Sequence, residues 1–206
     1  MICIDGNHLT IEDIVAVARQ KEKVSISPAA KEAIDRASRM ISNIVSQGEV
    51  VYGVTTGFGK LAHVTISQKE TSELQKNLIR SHAVGVGDNL PEEVVRAIML
   101  LRANTLAKGH SGIRLEVIQL LVDMLNCGLH PVIPSQGSVG ASGDLVPLAH
   151  MTLPLIGEGE ILLEGSIVSG KTALQRFGLE PVELEAKEGL ALINGTAVMT
   201  AIAALA

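Results

Sequence analysis

Residues 137–144 read Gly-Ser-Val-Gly-Ala-Ser-Gly-Asp, three glycines at a spacing of three around the tripeptide Ala141-Ser142-Gly143. The side chains there are the smallest that still include one hydroxyl, and glycines permit a backbone approach closed to other residues. If the loop is compressed, the amide nitrogen of Gly143 can attack the carbonyl carbon of Ala141. Loss of water from that ring and from Ser142 then leaves an exocyclic methylene, a carbon electrophile made from protein alone. On composition alone the stretch is also a plain glycine turn before a helix. It is nearly the hydrolase elbow G-x-S-x-G, but Asp144 stands in the last position.

Three further residues have suitable chemistry. Tyr52 is the only tyrosine, and a phenol can act as a base if nearby donors stabilise the phenolate; taken singly it is a packing residue with a satisfied hydroxyl. His82 lies where a helix ends, a position where histidine ordinarily caps carbonyls. Asn194 and Asp144 each precede an apolar run and read locally as helix N-caps. The six histidines are scattered without an H-E-x-x-H or paired-carboxylate spacing, so no metal is expected. Gly53 to Lys60 has the wrong spacing for a phosphate loop, with Leu61 where a hydroxyl residue is required, and no nucleotide is expected.

The run Gly-Ser-Val-Gly-Ala-Ser-Gly-Asp-Leu-Val-Pro-Leu-Ala from Gly137 resembles the signature of the aromatic amino acid ammonia-lyases. Tyr52-Gly53-Val54-Thr55-Thr56-Gly57-Phe58-Gly59 is similar to that family's tyrosine loop, Asn77-Leu78-Ile79-Arg80-Ser81-His82 to its selectivity segment, and Leu192-Ile193-Asn194-Gly195-Thr196 to its asparagine segment. Four motifs in the family's order make the resemblance specific. It implies that Ala141, Ser142 and Gly143 form a 4-methylidene-imidazol-5-one (MIO), that Tyr52 removes a β-proton from the substrate, and that His82, Ser81 and Asn194 contact it. Asp144 and the Gly59 loop have supporting roles. The polar Ser81-His82 pair resembles the histidine-specific branch, which implies conversion of L-histidine to trans-urocanate and ammonia. Phenylalanine or tyrosine lyases and aminomutases of the same family are the alternative. The family's chains are much longer and form homotetramers whose sites draw on several subunits. The 206 residues alone are therefore expected to lack part of the site and to be poorly active or inactive, with formation of the ring itself left open. A self-associating helical fragment and a serine hydrolase using Ser142 are the readings from other classes.

Composition limits the partners. The chain is 47% hydrophobic and 19% charged with a net charge of −5, which describes a globular protein. It has no basic cluster and three aromatic residues in all, one Tyr and two Phe, so nucleic acid is not an expected partner. Cys3 and Cys127 lie outside any C-x-x-C spacing, and no basic segment with an apolar stretch opens the chain, which fits a reducing cytoplasm. Leu190 to Ala206 is uncharged, close to the length needed to cross a bilayer. Asn194, Gly195, Thr196 and Thr200 dilute it, and it is expected to be a buried core helix rather than a membrane span. It ends with no cap, as a helix that is cut would end.

The elements that must position these residues are mainly helical. Ile2 to Ile4 predicts a short strand. Thr10 with Asp13 predicts a capped helix to about Lys23, and Ser27-Pro28 opens another with Ile34, Ala37, Ile41, Ile44 and Val45 on one face. Val50 to Gly59 predicts a strand or extended entry into a loop. Ser67-Gln68-Lys69-Glu70 predicts a capping box for a helix to about His82. Pro91 to Lys108 and Ser111 to Cys127, stopped by Gly128, predict two more. Asp144 is expected to cap a helix over Leu145 to Ile156 that Pro154 ends or kinks. Glu164-Gly165 predicts a hairpin turn, Lys171 to Phe177 a short helix, and Asn194 the N-cap of a final one. The expected fold is a helical N-terminal domain with minor β, over residues 1–110. It leads into the start of a long helical bundle over 111–206, the part that carries the electrophile loop.

Overall fold

The computed structural model describes residues 1–57, 68–140 and 142–206. The capping box expected at Ser67 lies outside them, as do Gly59 and Ala141. The fold is mainly α with short strands, as expected.

Local rules account for most helices. In α1 (Ile11–Arg19) the Thr10 and Asp13 side chains bond each other's backbone amides, a reciprocal box. Helix α2 (Pro28–Gln47) starts at Ser27, whose hydroxyl accepts from the Ala30 amide. It stops at Gly48 in the left-handed region, φ 68°. Helix α3 (Gln68–His82) ends at the expected histidine. Helix α4 (Glu92–Ala107) follows Pro91, and α5 (Leu115–Cys127) ends on Gly128 at φ 74°.

The strands are minor. β1 (Ile2–Ile4) pairs in parallel with β2 (Val24–Ile26). β3 (Val86–Asn89) pairs with β5 (Pro134–Gln136), and β4 (His130–Pro131) pairs with β6 (Glu160–Leu163). β6 continues into β7 (Ser166–Ser169) through Glu164 and Gly165, both at positive φ (50° and 80°), which is the geometry of the expected two-residue hairpin.

Helix α4 is the axis of the core. It packs against α1, α2, α5 and the last helix, α9 (Ala197–Leu205), and Ala97, Ile98, Met99, Leu100, Ala103 and Leu106 are fully buried. One apolar cluster extends from Ile4 to Ala201. Helix α6 (Leu145–Thr152) tightens into a 3₁₀ turn at Leu153–Ile156, where Pro154 stands. After α7 (Gly170–Arg176), the apolar run read as one helix from residue 190 is instead two: α8 (Glu188–Ile193), then Asn194-Gly195-Thr196, then α9. By composition Glu188–Leu205 meets the criteria for a membrane span, but the break divides it into pieces of six and nine residues. Each is much shorter than the roughly 20 residues a spanning helix needs.

A buried cluster beside α4 predicts acid sensitivity. Arg96 donates to the carbonyls of Val17 (2.8 Å) and Leu125 (3.2 Å) and to His130 Nε2 (3.0 Å), so the ring is neutral with its proton on Nδ1. Burial pushes the His130 pKa down to about 4; the Glu92 carboxylate opposes this, and Arg96 and Lys21 add to it. The unfolded ring, near 6.5, therefore takes up its proton first as pH falls. No penalty exists above pH 6.5; it grows as pH falls towards 4, reaching about 3 kcal/mol, and then levels off. NMR titration of the His130 ring checks this, and a midpoint near 6.5 would contradict it.

Candidate active site

Asp144 organises the loop, though not as its sequence neighbours suggest. Its carboxylate makes no cap bond to α6. Instead Oδ2 accepts from the amides of Val198 and Met199, both at 3.0 Å, in the first turn of α9, and Oδ1 accepts from the Ser138 hydroxyl at 3.1 Å. The expected local cap is thus a cap across space, placed where a helix terminus carries partial positive charge. Such a cap contributes about 1–2 kcal/mol. The Asp144 amide donates to the Gly195 carbonyl at 2.7 Å, so the loop and the Asn194-Gly195-Thr196 break are held edge to edge.

This contact explains Gly143. Its φ is +126°, and a Cβ there would come within 2.6 Å of the Gly195 oxygen and 3.0 Å of the Gly195 nitrogen. Two glycine peptides therefore lie directly against each other. Gly143 and Asp144 are buried while Ser142 is exposed, which leaves the hydroxyl-bearing residue accessible on a fixed base. Asn194 is not the N-cap of α9; it is the C-cap of α8, with an extended backbone (φ −91°, ψ 101°) and an exposed side chain.

The selectivity segment is tied to the same loop. The His82 Nδ1–H donates to the Leu78 carbonyl (2.7 Å), and the Ser81 hydroxyl, which also donates to Leu78 O (2.9 Å), lies 3.2 Å from Nδ1. A carbonyl can only accept, so Nδ1 carries a proton, and Nε2 is the ring nitrogen this contact does not use. Three residues on, the Gly85 amide donates to His150 Nε2 of α6 (3.0 Å), and a Cβ on Gly137 would lie 3.3 Å from Gly85 Cα. The ends of α3 and of the electrophile loop are thereby joined.

Tyr52 lies on a turn, where a strand or an extended entry into a loop was expected. The Val51 amide donates to Thr55 Oγ1 (2.9 Å), Thr55 Oγ1 donates to the Glu49 carbonyl (2.6 Å), and the Gly53 amide donates to Thr56 Oγ1 (3.3 Å). Threonine hydroxyls have taken the backbone groups a sheet ladder would use. These three bonds are internal to residues 49–56, and Tyr52 is 60% exposed.

A sequence profile of aromatic amino acid lyases matches residues 9–206. The chain belongs to the aromatic amino acid lyase family. It is 58% identical over 204 residues to a histidine ammonia-lyase of Caldanaerobacter subterraneus subsp. tengcongensis, and 56% identical over 206 residues to one of Streptococcus pyogenes serotype M3. These alignments cover 99% and 100% of this chain but 40% of each relative, so the chain spans about two fifths of their length. Among solved structures it is similar to histidine ammonia-lyase from Trypanosoma cruzi (TM-score 0.92, 40% identity, 99% of this chain and 39% of that one). It is also similar to tyrosine aminomutase from Streptomyces globisporus (TM-score 0.94, 41% identity, 99% and 38%). The family assignment leaves the internal supports of the lyase loop to the geometry. Of these, Ser138 and Gly195 stand inside the quoted motifs without a role assigned to them, and His150 directly follows the run that begins at Gly137.

Proposed function

We propose that this chain carries the electrophile and three substrate-facing side chains of an ammonia-lyase acting on L-histidine, with trans-urocanate and ammonia as products. The observation that carries the reading is the packing of Gly143 on Gly195 with Asp144 bridging to α9, because it seats the Ser142-Gly143 corner beside the Asn194 break. Residues 142 and 143 suit the MIO ring: Gly143 has no side chain and sits at a φ few other residues adopt, and the Ser142 hydroxyl is accessible for loss as water. Formed there, the ring would supply an electrophilic carbon to the substrate amine, which would make ammonia a better leaving group.

The chain's own residues do the rest. Tyr52 takes the proton from the substrate β-carbon. With its ring neutral, His82 presents an acceptor at Nε2 to the imidazole N–H, a group phenylalanine and tyrosine lack in their rings; a site built for a donor penalises analogues without one. Asn194 contributes an amide to polar groups of the substrate. The 55–58% identity to histidine ammonia-lyases supports the same substrate over an aminomutase reading. The setting that follows is a cytoplasmic homotetramer, with activity belonging to an assembly that supplies what the 206 residues do not contain.

Peptide mass mapping of the assembled lyase carrying this segment tests the proposal together with urocanate absorbance. The expected result is a peptide around Ser142 lighter by two waters, urocanate formed from L-histidine, and neither the second water loss nor turnover in S142A. A Ser142 that keeps its full mass would sink the reading and favour a hydrolase or a non-catalytic segment.

A further inference from the structure

Helix α4 carries a cation that has no carboxylate partner among the described residues. Arg102 is 3% exposed. Its Nη2 donates to the carbonyls of Ala191 and Asn194, the latter at 3.0 Å, at the C-terminal end of α8. Those carbonyls bear the partial negative charge of a helix terminus. Burial lowers the guanidinium pKa to about 10, which leaves it charged at neutral pH. Its Nε is buried without a hydrogen-bond partner among the described residues. Burying a charge without a counter-ion costs several kcal/mol, and a helix end can be capped without one, by glycine or by a lysine at the rim. Capping alone therefore does not account for Arg102.

Its other neighbour does. Gly195 is packed against two groups: Gly143 lies against its peptide, and a Cβ on Gly195 would overlap Nη1 of Arg102. The carbonyl of this same peptide holds the Asp144 amide. A shift of the guanidinium is thus one residue away from the Ser142-Gly143 corner, with no side chain in between to absorb it.

We propose that Arg102 is a positioning residue for the electrophile loop: its buried fork holds the Asn194-Gly195 turn in the place where that turn presses on Gly143 and fixes Asp144. The inference rests on the lyase reading above. Arg102 does not touch substrate; it compresses the loop whose cyclisation creates the reactive group and sets the backbone of Asn194.

The test compares wild type, R102M, R102K, G195A and the R102M/G195A double variant in the assembled lyase. Three quantities are followed: the rate at which the Ser142 peptide loses two waters after folding, kcat and KM for L-histidine, and the thermal midpoint. R102M is expected to slow water loss about tenfold or more and to lower kcat with little change in KM, the pattern of a lost geometric constraint. R102K, with charge but no planar fork, recovers only part of the rate. G195A displaces the guanidinium tip without deleting it and should show the same defect, and the double variant should be no worse than R102M, because the two changes act through one contact. If R102M does not fold, G195A and R102K carry the comparison. Variants that lose two waters at the wild-type rate while only their thermal midpoint falls would overturn the proposal, as would full additivity in the double variant. A wild-type protein that never loses the two waters overturns the lyase reading, and this one with it.

Discussion

Replacing Gly143 with alanine is expected to leave Ser142 at its full mass and to remove turnover by about 10⁴-fold or more, the scale that follows loss of a reacting group. The cause is steric. At φ +126° an L side chain is strained by about 1–3 kcal/mol, and its Cβ would sit 2.6 Å from the Gly195 oxygen. Relieving that overlap moves the Gly195 carbonyl, which breaks its 2.7 Å bond from the Asp144 amide and loosens the loop that has to be compressed. Gly140 provides the control. Its φ is also positive (+69°), but a Cβ there meets nothing within 4 Å, so G140A should cost about 1 kcal/mol of backbone strain and still cyclise. Mass mapping of the two variants decides it, and two waters lost in G143A would show that contact with Gly195 does not shape the loop.

Y52F is expected to lower kcat by about 10²–10⁴-fold, the usual worth of a positioned base, with KM for L-histidine changed no more than a few-fold. Water loss at Ser142 should be unaffected, since the phenol acts on the substrate and not on the loop. The turn itself should survive, because threonine hydroxyls hold it and the ring is 60% exposed. Steady-state kinetics combined with mass mapping separate the two effects. A kcat within about fivefold of wild type would remove Tyr52 from the proton-transfer step.

Much of the helical frame was legible because its signals act within three or four residues. Thr10 with Asp13, Ser27 before Pro28, Gly128 at a helix end, and Glu164-Gly165 in the hairpin each satisfy backbone groups close by in the chain. The same rules misled where a polar side chain had a choice. Thr55 and Thr56 sit in a run that reads as a strand or extended entry into a loop, yet their hydroxyls close a turn. Asn194 reads as the N-cap of a final helix and proves to be the C-cap of α8, inside a break in the apolar run.

The candidate site divides along the same line. The types of its reactive residues, the family they resemble and the order of the four motifs are readable along the chain, since each motif is a short contiguous run. How Ser142 and Gly143 are seated depends on contacts between distant segments. The Asp144 carboxylate could have capped the helix beginning at the next residue; it reaches the amides of Val198 and Met199 instead, 54 and 55 positions away. The Gly143-Gly195 contact and the Arg102 fork behind it likewise join segments 52 and about 90 positions apart. Spacing along a chain encodes only what its own turn can reach. Which buried donor meets which acceptor is settled when the helices pack and every buried polar group competes for a partner.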